Sequence, residues 1–191
     1  MELFEEKKNA NIYDKKVVEY QEELLTYSSI ASMNQFVISS VDKPIVGTTA
    51  LATCYGIIFY DKRLKKAYVG HASPTNYMTL LYQMISALEP SSKIIEYKII
   101  PGWDNCNPGF ESASRYQNIF DDRNPYYYMK KCLQNNSDFQ FIPLSFSIDI
   151  QTNYNYIDPF YEFAFDANTR ESVTKYLFYE NVDDINRKIN M

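Results

Sequence analysis

Two strand-like runs lying close together limit this chain more than any other feature. Tyr55 to Tyr60 and Lys66 to Ala72 are rich in aromatic and β-branched residues, and only Asp61-Lys62-Arg63-Leu64-Lys65 separates them. So short a connection joins antiparallel neighbours. A turn centred on Lys62-Arg63 sets Asp61 opposite Leu64, Tyr60 opposite Lys65 and Cys54 opposite His71. Side chains directly opposed share one face, with Cβ atoms about 4.5–5.5 Å apart. The hairpin therefore carries the only histidine of the chain to a cysteine. The turn sequence is a weak hairpin signal, and a one-residue bulge would send one of the two side chains to the other face. Gly56, next on the Cys54 face, is expected to leave space beside the thiol. Gly47, Gly56 and Gly70 place three of the five glycines in this unit, a sign of close backbone approaches.

A thiol beside an imidazole has chemistry that a buried thiol lacks. The thiolate is the nucleophile, and a neighbouring histidine can take its proton and favour the ion pair. A hydroxyl or carbonyl must then orient the imidazole through its second nitrogen. Thr48, six residues before Cys54, is a candidate for that role, as are Thr49 and Thr53. Against this stands the ordinary fate of a strand cysteine, which is to serve as a small core residue.

Composition removes several other classes. The chain has 191 residues, 46% hydrophobic and 23% charged, enough for one domain with a sizeable core. Its net charge of -5 argues against a nucleic-acid partner, which needs a basic face. A single histidine excludes sites built on two or three histidine ligands, and Cys54, Cys106 and Cys132 lack the CxxC spacing of a structural zinc, so no metal site is expected. The three cysteines fit a reducing compartment. No Gly-rich phosphate cradle, signal peptide or run of about 18 apolar residues occurs, so a soluble protein without a membrane partner is expected.

Along the chain, Ile12 to Tyr27 reads as an amphipathic helix, with Tyr13, Val17, Tyr20, Leu24 and Tyr27 on one face. Strands are expected over Gln35–Val41, Tyr55–Tyr60, Lys66–Ala72, Lys93–Ile100, Phe139–Ile150 and Pro159–Phe165. Helices are expected over Thr75–Leu88 and Asn124–Leu133. Val46 to Cys54 is small and hydroxyl-rich, Pro101 to Gly109 is a loop, and Ser172 to Tyr179 is ambiguous. The resulting plan is one domain over residues 1–191: an N-terminal amphipathic helix (1–30), a Cys/His core unit (35–100), then loops, a short helix and further strands (101–191). Mixed helices and strands without regular βαβ alternation favour an α+β fold.

The segment Thr48-Thr49-Ala50-Leu51-Ala52-Thr53-Cys54, followed by Val69-Gly70-His71-Ala72-Ser73-Pro74, resembles the bacterial chemotaxis-receptor glutamine deamidases (CheD-like) and the glutamine-deamidating toxins that share their fold. That family carries a Thr, a Leu-Gly-Ser-Cys tetrapeptide ending in the nucleophile, and a strand hairpin ending in His. Three spacings match: Thr six before Cys, His seventeen after it, and a Pro soon after the His with a helix to follow. The tetrapeptide departs from the pattern at Ala52 and Thr53, and the match covers about Val46 to Leu88. The resemblance implies a β-sandwich-like arrangement of mixed sheets flanked by helices in α/β/β layers. It also implies Cys54 as nucleophile, His71 as base and Thr48 as the group that orients it.

By the same resemblance the reaction is deamidation of a glutamine side chain presented by a protein substrate, with no cofactor required. Backbone N–H groups near Thr53 and Cys54 would receive the oxyanion. Thr49, Thr53 and Trp103 are further candidates for oxyanion or substrate contact, with Trp103, Asp104 and the Tyr126-Tyr127-Tyr128 run as a recognition rim. The expected location is the cytoplasm, or a host cell if the chain is an effector or toxin. Two other readings stand beside this one: a protease or transglutaminase-like enzyme using the same pair, and a non-catalytic protein-binding module on the same fold.

Overall fold

A computed structural model of the chain describes residues 28–106, 124–155 and 158–173. Its elements run β1 (Ser28–Ala31), β2 (Gln35–Ile38), β3 (Ile45–Leu51), β4 (Tyr55–Asp61), β5 (Lys66–Ala72), α1 (Tyr77–Ser86), β6 (Ile94–Pro101), α2 (Trp103–Cys106), α3 (Pro125–Gln134), β7 (Gln140–Pro143), β8 (Gln151–Asn155), β9 (Asp158–Asp166) and β10 (Glu171–Ser172). They form two mixed five-stranded sheets. One has the order β1-β3-β9-β10, with β8 also paired to β9; the other has the order β2-β5-β4-β6-β7. The fold is α+β and sandwich-like, as the mixture of patterns indicates. The helix expected over Ile12–Tyr27, and the ambiguous stretch beyond Val173, lie outside the described residues.

Strands β4 and β5 are apolar on both faces because both faces are covered. From β4, Ile58 and Tyr60 enter one core with Val46, Leu51, Phe163 and Phe165 of the other sheet. Tyr55, Ile57 and Phe59 alternate to the opposite face and meet Leu80, Leu81 and Met84 of α1 and Met129 and Leu133 of α3. Helix α3 is well specified locally. Asn124 accepts a hydrogen bond from Tyr126 N at 2.9 Å, and Pro125 occupies the first turn, where a missing N–H costs nothing.

Several expectations needed correction. Val46 to Leu51, short of large side chains, is nevertheless a central strand, because β3 approaches β9 too closely for bulk. A Cβ on Gly47 would lie 2.3 Å from Phe163 O and 2.8 Å from Ala164 Cβ. Gly47→Ala is therefore expected to cost about 1–3 kcal/mol, read from the denaturant midpoint. The run Phe139–Ile150 pairs only over Gln140–Pro143. Past Pro143 its alternation reflects packing, since Leu144, Phe146, Ile148 and Ile150 press into the core between the sheets without joining a ladder. Strand β1 carried no signal that set it apart. Within the loop expected from Pro101 lies the short helix α2.

Candidate active site

The β4–β5 hairpin forms, with a register two residues away from the expected one. Asp61 pairs with Lys66, and Gly56, rather than Cys54, stands opposite His71. The cause is the turn. Asp61 Oδ1 accepts from Arg63 N at 2.9 Å and Leu64 N at 3.1 Å, and Lys65 takes a left-handed φ of 51°, so a four-residue loop replaces the tighter one. A slip of two residues preserves the face. Cys54, two residues before Gly56, and His71 thus both look toward the space between the sheets. Gly56 leaves no void there, because Leu51 and the Phe163 ring fill the position of its missing side chain.

Thr48 reaches the same space from the other sheet. Its Oγ1 lies 3.0 Å from His71 Nδ1 and 2.9 Å from Ala31 O. A hydroxyl has one proton, and a carbonyl oxygen can only accept. Thr48 therefore donates to Ala31 O and accepts from Nδ1–H, which assigns the His71 tautomer and leaves Nε2 as a bare lone pair. Among the described residues Nε2 has no hydrogen-bond partner, the Cys54 thiol included. Thr48 is fully buried, His71 is 4% exposed and Cys54 is 7% exposed.

Burial governs the protonation of both groups. It pushes the His71 pKa down to about 4. Burial also raises the Cys54 thiol, which a hydrogen bond from the Thr53 side chain pulls partly back. The ion pair that a cysteine and a histidine can form is thus disfavoured at rest, and both thiol and imidazole are neutral.

The other sequence-derived residues divide by the pleat. Thr49 points away from the site, and its hydroxyl donates to Glu162 Oε2 at 3.1 Å. Thr53 is exposed at the bend before Cys54. The Trp103 ring meets Tyr161 edge-on, with centroids 5.5 Å apart. Tyr127 and Tyr128 are exposed on α3.

Two supports carried no sequence signal strong enough to find. Asn34, in a left-handed conformation with φ 60°, donates its N–H to His71 O and accepts from Ser73 N through Oδ1 at 3.0 Å. It holds the backbone at and just beyond His71, and asparagine tolerates that φ better than most residues. The stretch Gly102–Asn105 braces the segment before Cys54: Gly102 N donates to Cys54 O at 2.8 Å and Asp104 N to Ala52 O at 3.1 Å.

Among the described residues, no group of three or more His, Cys, Asp or Glu is placed to hold a metal ion, and no helix is long and apolar enough to cross a membrane. Comparison of the sequence with protein-family models and with curated proteins gives no match.

Proposed function

We propose that the protein is a cysteine-dependent amidohydrolase that converts glutamine side chains of a protein substrate to glutamate. One observation carries this reading: Thr48 fixes the proton of His71 on Nδ1, leaving Nε2 as a base on the face it shares with Cys54. The resemblance of the Thr48-to-Cys54 and His71 spacing to the glutamine deamidases supplies the substrate class.

The chemistry follows from that tautomer. As Cys54 Sγ bonds to the carboxamide carbon, its proton passes to Nε2, so no stored thiolate is needed. The carbonyl oxygen becomes an oxyanion, received by backbone N–H groups beside the nucleophile. Nε2–H then protonates the departing nitrogen, the C–N bond breaks, and ammonia leaves a thioester. Water attacks the thioester with Nε2 again accepting a proton, and the C–S bond breaks to give glutamate and the thiol. The target gains a negative charge.

Incubating folded glutamine-containing proteins with the native chain and with Cys54→Ala tests this, with ammonia and amide-to-acid peptide masses as readouts. Conversion by the native chain alone is expected. No conversion of any target would remove the reading.

A second reading, a non-catalytic protein-binding module, draws on the burial of both Cys54 and His71. It requires that Cys54→Ala bind the same partners with unchanged affinity. The two readings agree on one expected result: Cys54 reacts with iodoacetamide more slowly at pH 7 than an exposed thiol, and accelerates with alkali. Fast alkylation at neutral pH would contradict the neutral resting pair.

A further inference from the structure

Three successive carbonyls before β4 are gripped by one short stretch of chain. Ala52 O accepts from Asp104 N at 3.1 Å, Thr53 O from Asn105 Nδ2 at 3.0 Å, and Cys54 O from Gly102 N at 2.8 Å. They crowd Gly102 so closely that a Cβ there would lie 2.3 Å from Ala52 O and 2.7 Å from Cys54 O. A trans peptide is planar, so the N–H following each carbonyl points the opposite way. The N–H groups of Thr53 and Cys54 therefore turn together, away from Gly102–Asn105. Consecutive N–H groups facing one side make a concavity that receives an anion. Both residues lie between β3 and β4, and among the described residues no backbone hydrogen bond uses either N–H.

Two of the three grips are backbone bonds that come with the path of the chain. The third is a side chain, and it holds the peptide whose N–H belongs to the nucleophile itself. We propose that Asn105 is a positioning residue: by holding the Thr53 carbonyl it keeps the Thr53–Cys54 peptide from flipping, and so keeps the Cys54 N–H aimed where an oxyanion forms. The inference rests on the proposed acyl-transfer role of Cys54, and its test does not need the protein substrate.

Two thiol reagents separate positioning from mere support. An activated aryl acetate acylates Cys54 through a tetrahedral oxyanion: the S–C bond forms, the C–O bond to the aryl group breaks, and the thiol proton leaves with the aryl alcohol. Iodoacetamide alkylates the same sulfur by displacing iodide, with no oxyanion at any stage. Site-resolved peptide masses distinguish Cys54 from Cys106 and Cys132 in both reactions.

Asn105→Ala is expected to slow acylation of Cys54 by about 10- to 100-fold while its alkylation rate stays within about twofold. Asn105→Asp, which sets an acceptor against the Thr53 carbonyl, is expected to match it, and carries the test if the alanine variant does not fold. Equal losses in both reactions, or no loss in either, would overturn the assignment. So would a native Cys54 acylated no faster, relative to its alkylation, than glutathione. If acylation depends on Asn105 but no protein glutamine is converted, the positioning role stands and the deamidase reading falls.

Discussion

Replacing His71 with alanine is expected to slow the proposed glutamine deamidation by about a thousandfold, within the range general acid–base catalysis supplies. The size follows from the resting state. Burial raises the thiol, so without Nε2 the attacking sulfur has no acceptor for its proton. Thr48→Val removes the hydroxyl that holds the tautomer, and takes the partner from the buried Nδ1–H. It should slow the reaction by about 10- to 100-fold and cost about 1–3 kcal/mol of stability for the donor it strands. Thr48→Ser keeps the hydroxyl and should restore most of both. Single-turnover ammonia release, read beside the denaturant midpoint, separates the two effects. A Thr48→Ser chain as slow as Thr48→Val would show that the hydroxyl is not what matters. A His71→Ala chain with native turnover would remove the base from the mechanism.

The shared face of Cys54 and His71 was legible in the sequence because a five-residue separation between two strand patterns forces an antiparallel neighbour. The register was not. It depended on Asp61 folding back onto Arg63 N and Leu64 N, a choice between two loops that the strands themselves do not decide. An even slip kept the face but not the direct opposition of Cys54 and His71, whose place Gly56 takes. Choosing among Thr48, Thr49 and Thr53 required the pleat of β3, and that strand was hidden because its residues are small. Smallness is what lets β3 lie against β9, with Thr48 aimed inward and Thr49 outward to Glu162. The mixture of helical and strand patterns was enough for the α+β class. Asn34 and Gly102–Asn105 could not be found from the sequence, since their contacts with the site span tens of residues and consist mostly of backbone bonds. The loop at Pro101 stands out in the sequence for Trp103 and Asp104 as a recognition rim, whereas its bonds to the Cys54 segment come from the backbone N–H groups of Gly102 and Asp104 and the side chain of Asn105.

Stability should fall as the solution is acidified from about pH 6.5 to about pH 4, and His71 should account for about 3 kcal/mol of the loss. In the unfolded chain the imidazole takes a proton near pH 6.5, its ordinary value. In the folded chain burial holds it neutral until about pH 4. Between those limits the unfolded state binds the extra proton and is favoured by it. The contribution is therefore fully present above pH 6.5, declines as pH drops, and is gone below 4. His71→Asn isolates the effect, because its amide can donate to Thr48 Oγ1 from nearly the position of Nδ1–H and does not titrate. Denaturant midpoints across this range should show a shallower acid slope for His71→Asn than for the native chain, and equal slopes would contradict the buried neutral histidine. The same burial bears on function. A base that stays unprotonated down to about pH 4 is available at every neutral pH, so the acid limb of the proposed deamidation should fall near 4 rather than near 6.5. An activity profile with its acid limb at 6.5 would place His71 in contact with water during turnover, and the neutral resting pair would then not be the state that reacts.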